Sequence, residues 1–323
     1  MTRRLIDYIV LVFKGIAMGA ADVIPGVSGG TVAFIAGIYE ELIDSIKSVG
    51  SKSFFLLFKR NGIVQFLEAI NAKFLFSIIL GITISFLSLA KLMQYLLTYH
   101  PIFVWAFFFG LIVASVWFVG KNITKWNFSV YFSLILGIVI GFWITVISPT
   151  ETTNELWFIF LCGSLAICAM ILPGISGSFI LLLLGKYAYM MGALASFNLV
   201  IIGTFLVGAT IGILLFSKLL SVLLHKFHNF TIALLTGFML GSLNKVWPWK
   251  VAVQTFIDEN GLVKPLIEKN VLPETYKYSN GLEPYTLWAI LFAILGVVVI
   301  VLLERITIKK DNSEDILRKK LGF

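Results

Sequence analysis

Histidine is scarce: the 323 residues hold three, His100, His225 and His228, and each falls between apolar runs. The sequence offers no Ser-His-Asp set, metal-ligand cluster, P-loop or dinucleotide fingerprint. An enzyme is not expected, nor a cofactor or metal. Cysteine is scarcer still. Cys162 and Cys168 share one apolar run, which argues against a disulfide framework. Charge is also thin, with 13% Asp, Glu, Lys and Arg against 59% hydrophobic residues and a mean hydropathy of +0.97. A soluble domain of this length cannot cover that much apolar surface, so the chain reads as a polytopic membrane protein. Its net charge of +8 does not indicate nucleic acid, because no such motif is present and the charges lie in loops and termini.

What is plentiful is apolar sequence. Runs lie roughly at residues 5–20, 27–43, 75–97, 102–119 and 128–147, then 156–172, 175–191, 199–224, 230–247 and 286–303. Six are long enough to cross a bilayer core; the four shorter ones form two pairs, 5–43 and 156–191, read as hairpins or short tilted spans. With the N-terminus inside, sixteen Lys and Arg fall in cytoplasmic segments and four in one long external loop, Pro248 to Pro284. Both termini are therefore expected in the cytoplasm of a plasma membrane. The start, Met1-Thr2-Arg3-Arg4, runs into an apolar stretch without a cleavage site and reads as a retained span. Segment 44–74, apolar at Phe54 to Phe58 and basic around it, reads as interfacial helix touching membrane lipid. The external loop carries turn signals at Asn260-Gly261 and Asn280-Gly281. Trp126, Trp157, Trp249 and Trp288 sit near span ends, as belt residues do.

Helix breakers interrupt the apolar sequence twice. Pro25-Gly26-Val27-Ser28-Gly29-Gly30-Thr31 returns 148 residues later as Pro173-Gly174-Ile175-Ser176-Gly177-Ser178. Residues 15–39 and 163–187 align with identities at Gly15, Ala21, Pro25, Gly26, Ser28, Gly29, Gly37 and Tyr39. A weaker echo relates Gly110 to Ser115 with Gly237 to Ser242. Each half is then a hairpin followed by three spans, and an odd number of spans inverts the second half. The expected fold is an all-α polytopic membrane protein of two inverted repeats, residues 1–150 and 151–323, each a broken or re-entrant hairpin plus three transmembrane helices. Broken backbone at membrane depth needs protein or a wet cavity around it. A helix starting there offers N–H donors and a positive dipole end to an anion, in the manner of transporter sites. Ser28, Thr31, Ser176 and Ser178 add hydroxyls, and Gly26, Gly29, Gly30, Gly174 and Gly177 allow close approach. Close-packing glycines at helix crossings are the bland alternative.

Lys14, Asp22, Glu40 and Lys186 are the ionisable residues nearest the breaks. Two roles are open to Asp22, a proton-coupling carboxylate or a cap on the new helix. Its counterpart in the second copy is Met170, so any proton site is asymmetric. Lys14 is a partner for Asp22 or for the substrate; Glu40 and Lys186 follow the breaks at matching places and have an interfacial alternative.

The stretch Gly19 to Thr31 with Gly37-Ile38-Tyr39-Glu40, and Leu172 to Ser178 with Leu184-Gly185-Lys186-Tyr187, resembles the bacterial PopT-type polyprenyl-phosphate transporters. The likeness runs through nearly the whole chain. It implies translocation of undecaprenyl phosphate from the outer to the cytoplasmic leaflet for reuse in cell-wall synthesis. It also implies Pro25 to Thr31 and Pro173 to Ser178 around the head group, with Ser28 and Ser176 flanking it. A secondary transporter of a small anionic solute is the alternative, and a lipid phosphatase is disfavoured by the lack of a membrane-embedded histidine. A homo-oligomer remains open.

Overall fold

The computed structural model describes residues 3–22, 28–50, 53, 56, 62–147, 152–257 and 263–302. The first half comprises α1 (Leu5–Asp22), α2 (Gly29–Ile35), α3 (Tyr39–Val49), α4 (Gly62–Ala69), α5 (Ala72–Tyr99), α6 (Pro101–Gly120) and α7 (Phe128–Val146). The second comprises α8 (Leu156–Ile171), α9 (Gly177–Leu183), α10 (Tyr187–Ala195), α11 (Leu199–Lys226) and α12 (His228–Ser242). It continues through β1 (Lys250–Ile257), β2 (Val263–Asn270), α13 (Pro273–Asn280) and α14 (Thr286–Leu302).

Four helices, α5, α6, α7 and α11, are long and apolar enough to cross a membrane, and α9 with α10 makes a bent fifth candidate. Large side chains such as Leu87, Phe128, Phe132, Leu199 and Leu215 stand exposed along them, as lipid-facing surface requires. This is a multi-pass membrane protein.

The helices differ from the apolar runs at one of the six expected spans. Residues 230–247 read as one span, but α12 stops at Ser242 and the chain turns through 243–246, where Asn244 and Lys245 fall. The last run yields α14, apolar from Thr286 to Leu302, where the described residues end. The 248–284 loop is a correction to a purely α fold. β1 and β2 pair antiparallel, from Lys250 opposite Asn270 to Ile257 opposite Val263. The Asn260-Gly261 signal lies outside the described residues, as does most of Phe54 to Phe58. The Asn280-Gly281 signal gives the turn expected: Gly281 ends α13 at φ 65°. Trp249 is no belt residue; it is buried beside Ile102, Ala106 and Tyr276, and its Nε1 donates to the Pro284 carbonyl.

Glycine sets the helix crossings, because small residues let membrane helices approach closely. A Cβ on Gly15 would meet the Ile78 carbonyl of α5, and one on Gly163 would meet the Phe205 carbonyl of α11. These two glycines are the pair aligned between the halves. Gly137 on α7 faces Gly237 on α12, whereas Gly110 on α6 meets Ala293 on α14. Thus α6 packs on α14, and α12 packs on α7.

Both short helices, α2 and α9, end alike. Ile38 N donates to the Ala33 carbonyl and Gly37 N to Phe34; Lys186 N donates to Leu181 and Gly185 N to Leu182. This is a Schellman motif, closed by glycine at φ 67° and 63°. The turn bends α9 against α10 by 110°.

Candidate functional site

Pro173 supplies no N–H and ends α8, leaving carbonyls of its last turn without intrahelical partners. The last bond onto that turn is Leu172 N to the Cys168 carbonyl, 3.3 Å. The first motif takes up two of the freed acceptors. Ser28 Oγ donates to the Met170 carbonyl at 2.8 Å, and Tyr39 Oη donates to the Ile171 carbonyl at 3.2 Å. In return Gly174 N donates to Thr31 Oγ1 at 2.9 Å. Residues more than 130 positions apart are thus joined by three hydrogen bonds, and the two motifs meet. Ser28 and Thr31 are 0% exposed, Ser176 3%.

Each short helix is capped from within. Ser28 Oγ accepts from Gly30 N at 3.0 Å, and Ser176 Oγ accepts from Phe179 N at 3.2 Å while lying 3.0 Å from Ser178 Oγ. Asp22 Oδ1 accepts from Gly29 N at 2.6 Å, so a carboxylate occupies the α2 end that sequence reasoning offered to an anion. The glycines are forced by crowding. A Cβ on Gly29 would strike the Asp22 carboxylate, on Gly30 the Ile171 carbonyl, and on Gly177 the Ala166 carbonyl at 2.6 Å. Gly174 has φ 90°, and a Cβ there would lie 2.7 Å from Ser242 Oγ. Pro25 and Gly26 lie outside the described residues.

Of the four ionisable candidates, the structure brings Asp22 to the junction and the others elsewhere. Lys14 Nζ donates to the Ala36 carbonyl at 2.5 Å, at the far end of α2. Lys186, 3% exposed, donates to the Thr152 carbonyl at 2.7 Å and to Asn154 Oδ1 at 2.6 Å. Glu40 Oε1 is 3.5 Å from His228 Nδ1, a half-exposed pair. Sequence reasoning assigned no role to Tyr39, although its identity with Tyr187 in the repeat marked it. It flagged Ser242 only through the echo with Ser115.

A second feature was not legible beforehand. A cavity of about 330 Å³ lies between the β-hairpin and the ends of α7, α9 and α12. Lys245, Lys250, Lys269 and Glu268 line it with Asn244 and Asn270, opposite apolar side chains that include Val146, Phe179 and Leu182. Burial pushes the Lys250 ammonium down to about 7; Glu268 opposes the shift and Lys245 adds to it. Among the described residues, no group of three or more His, Cys, Asp or Glu could hold a metal ion.

Residues 18–264 match the undecaprenyl phosphate translocase-like family. A polyprenyl-phosphate transporter of Vibrio cholerae serotype O1 is 42% identical over 305 residues, covering 94% of this chain and 99% of that protein. A polyprenyl-phosphate transporter of Staphylococcus aureus is 34% identical over 272 residues, covering 76% of this chain and 91% of that one. No solved structure matches. These relatives are named as transporters rather than enzymes, and with both breaks and most spans inside the matched region, the chain belongs to the undecaprenyl phosphate translocase-like family.

Proposed function

We propose that the protein carries polyprenyl phosphate across the plasma membrane, taking undecaprenyl phosphate from the outer to the cytoplasmic leaflet for reuse in cell-wall polymer synthesis. The names of its relatives support the substrate class. The observation that carries the reading is the junction of the two breaks through Thr31, Gly174, Ser28 and Met170. The proposed head-group site is Pro25, Gly26, Ser28, Gly29, Gly30 and Thr31 with Pro173, Gly174, Ser176, Gly177 and Ser178. The tail stays in lipid beside the protein.

In this reading residues 1–150 and 151–323 are inverted repeats with re-entrant hairpins. The matched Schellman turns, the exchanged packing of α6 on α14 and α12 on α7, and the placement of α3 and α10 all favour it. Asp44 and Lys47 of α3 reach Ser221 near the C-terminal end of α11. α10 instead leads into the N-terminal end of that helix, about 33 Å from Ser221 at 1.5 Å per residue. The N-terminus and the α3 face are then cytoplasmic.

Asp22 is the gate. Its carboxylate holds the Gly29 amide and would repel a phosphate, so substrate binding requires that it move or take up a proton. Protonation removes the repulsion and weakens the hold on the amide, which couples transport to protons.

Thr31→Val removes the oxygen that accepts from Gly174 at nearly constant volume. Reconstituted in vesicles, that variant is expected to move polyprenyl phosphate roughly tenfold more slowly, about 1.4 kcal/mol in barrier, while keeping its helical content. An unchanged rate, or wild-type vesicles that carry a soluble anion and no lipid phosphate, would overturn the reading.

A further inference from the structure

Among the described residues, the buried side-chain polar atoms that make no hydrogen bond are Ser85 Oγ and Lys250 Nζ. Lys250 is the charged one, and its side chain is 6% exposed. Its ammonium sits 3.8 Å from the centroid of the Trp105 ring and 3.7 Å from Glu268 Oε2, too far for a hydrogen bond. The same Glu268 oxygen lies 3.6 Å from Lys245 Nζ, which also stands over the Phe179 ring at 4.8 Å. Two ammonium groups therefore share one carboxylate oxygen, and a third lysine, Lys269, lines the same cavity. A buried cation this poorly matched is costly unless another anion completes its shell.

The cavity's amide groups are already used: Asn270 Nδ2 donates to the Asn244 carbonyl and to Asn244 Oδ1, and Asn244 Nδ2 donates to Thr145 Oγ1. The buried charged donor left without a hydrogen bond is Lys250 Nζ. The opposite wall is apolar, formed in part by Phe179, Leu182 and Leu183 of α9. Lys245 follows Ser242, the residue against which Gly174 packs, by three positions, so the cavity adjoins the second break.

We propose that this cavity is a receiving site for a phosphoryl anion carried on an apolar chain, bound by Lys250 and Lys245 in place of Glu268. The phosphoryl oxygens take the position that Glu268 now holds, and the first apolar units lie along α9. The proposal rests on the transport reading only for the nature of the tail; the charge arrangement is independent of it.

The test uses the purified full chain in detergent and three probes: farnesyl phosphate, inorganic phosphate and farnesol. Trp105, beneath Lys250, reports binding by fluorescence. Lys250→Met is expected to weaken farnesyl phosphate about tenfold or more, the loss of one charged contact. Glu268→Gln removes the competitor and is expected to tighten binding severalfold, a change opposite to that from breaking a structural ion pair. Farnesol should not bind. If Lys250→Met fails to fold, Glu268→Gln decides alone: unchanged or weaker binding overturns the site. Inorganic phosphate bound as tightly as farnesyl phosphate would overturn the assignment of a lipid-borne anion and leave a free phosphate site. Vesicle transport measured in parallel separates the two ideas. Wild-type transport with neither variant altering binding sinks the site alone, whereas charge-dependent binding without lipid transport sinks the transport reading alone.

Discussion

The break after α1 and the break after α8 are spelled with nearly the same letters and closed in different ways. After α1 a side chain does the work: Asp22 reaches forward to the Gly29 amide. After α8 the equivalent position is Met170, which contributes its backbone carbonyl to Ser28 of the other half. One break thus keeps its own charge and the other is satisfied across the junction. An anion approaching between them meets a single carboxylate on one side. That asymmetry leaves the junction one charged position, and the proposed proton coupling is the reading that uses it.

The comparison breaks most severely at Gly174. Its φ of 90° disfavours any side chain, and a Cβ would press on Ser242 Oγ. Gly174→Ala is expected to cost roughly 2 to 5 kcal/mol of stability, combining the left-handed strain with overpacking. A thermal melt in detergent reads the loss. Adding Ser242→Gly should return the overpacking share and leave the dihedral share. A double variant no more stable than Gly174→Ala would mean that Ser242 is not what crowds the position.

Asp22→Asn sharpens the comparison next. The amide oxygen still accepts from Gly29, so α2 stays capped and the fold is retained, but the carboxylate is gone from the junction. If Asp22 is the coupling group, net lipid transport falls roughly tenfold, about 1.4 kcal/mol, and its dependence on pH disappears. Transport that keeps the wild-type pH profile would reduce Asp22 to a cap.

The repeat itself was legible because Pro and Gly are conspicuous in apolar sequence, and the aligned Gly15 and Gly163 proved to be matching contact points. The hydrogen bonds between the breaks were not legible. Two of the three end on backbone carbonyls at Met170 and Ile171, which carry no sequence signature beyond the proline that frees them. The β-hairpin escaped for another reason: Lys250 to Ile257 and Val263 to Asn270 mix charged and apolar residues without a clean alternation, and the pairing register shifts near Gln254. Span length misled at α12, where Leu243 and Val246 extend the apolar run into turns that the backbone makes around Asn244 and Lys245.

The smallest effect is expected at Glu40, which the sequence placed after the first break, at a position matching Lys186 after the second, with an interfacial role as the alternative. Its carboxylate stands at the surface, 53% exposed, 3.5 Å from a His228 that is 45% exposed. A pair so open to water contributes about 0 to 1 kcal/mol, because solvent screens it and two mobile side chains must be held. Glu40→Gln should therefore melt within about 1 kcal/mol of wild type and transport at the same rate. A loss on the scale of Asp22→Asn would show that the charge near the first break is shared between two carboxylates. The single-acid asymmetry between the breaks would then no longer hold.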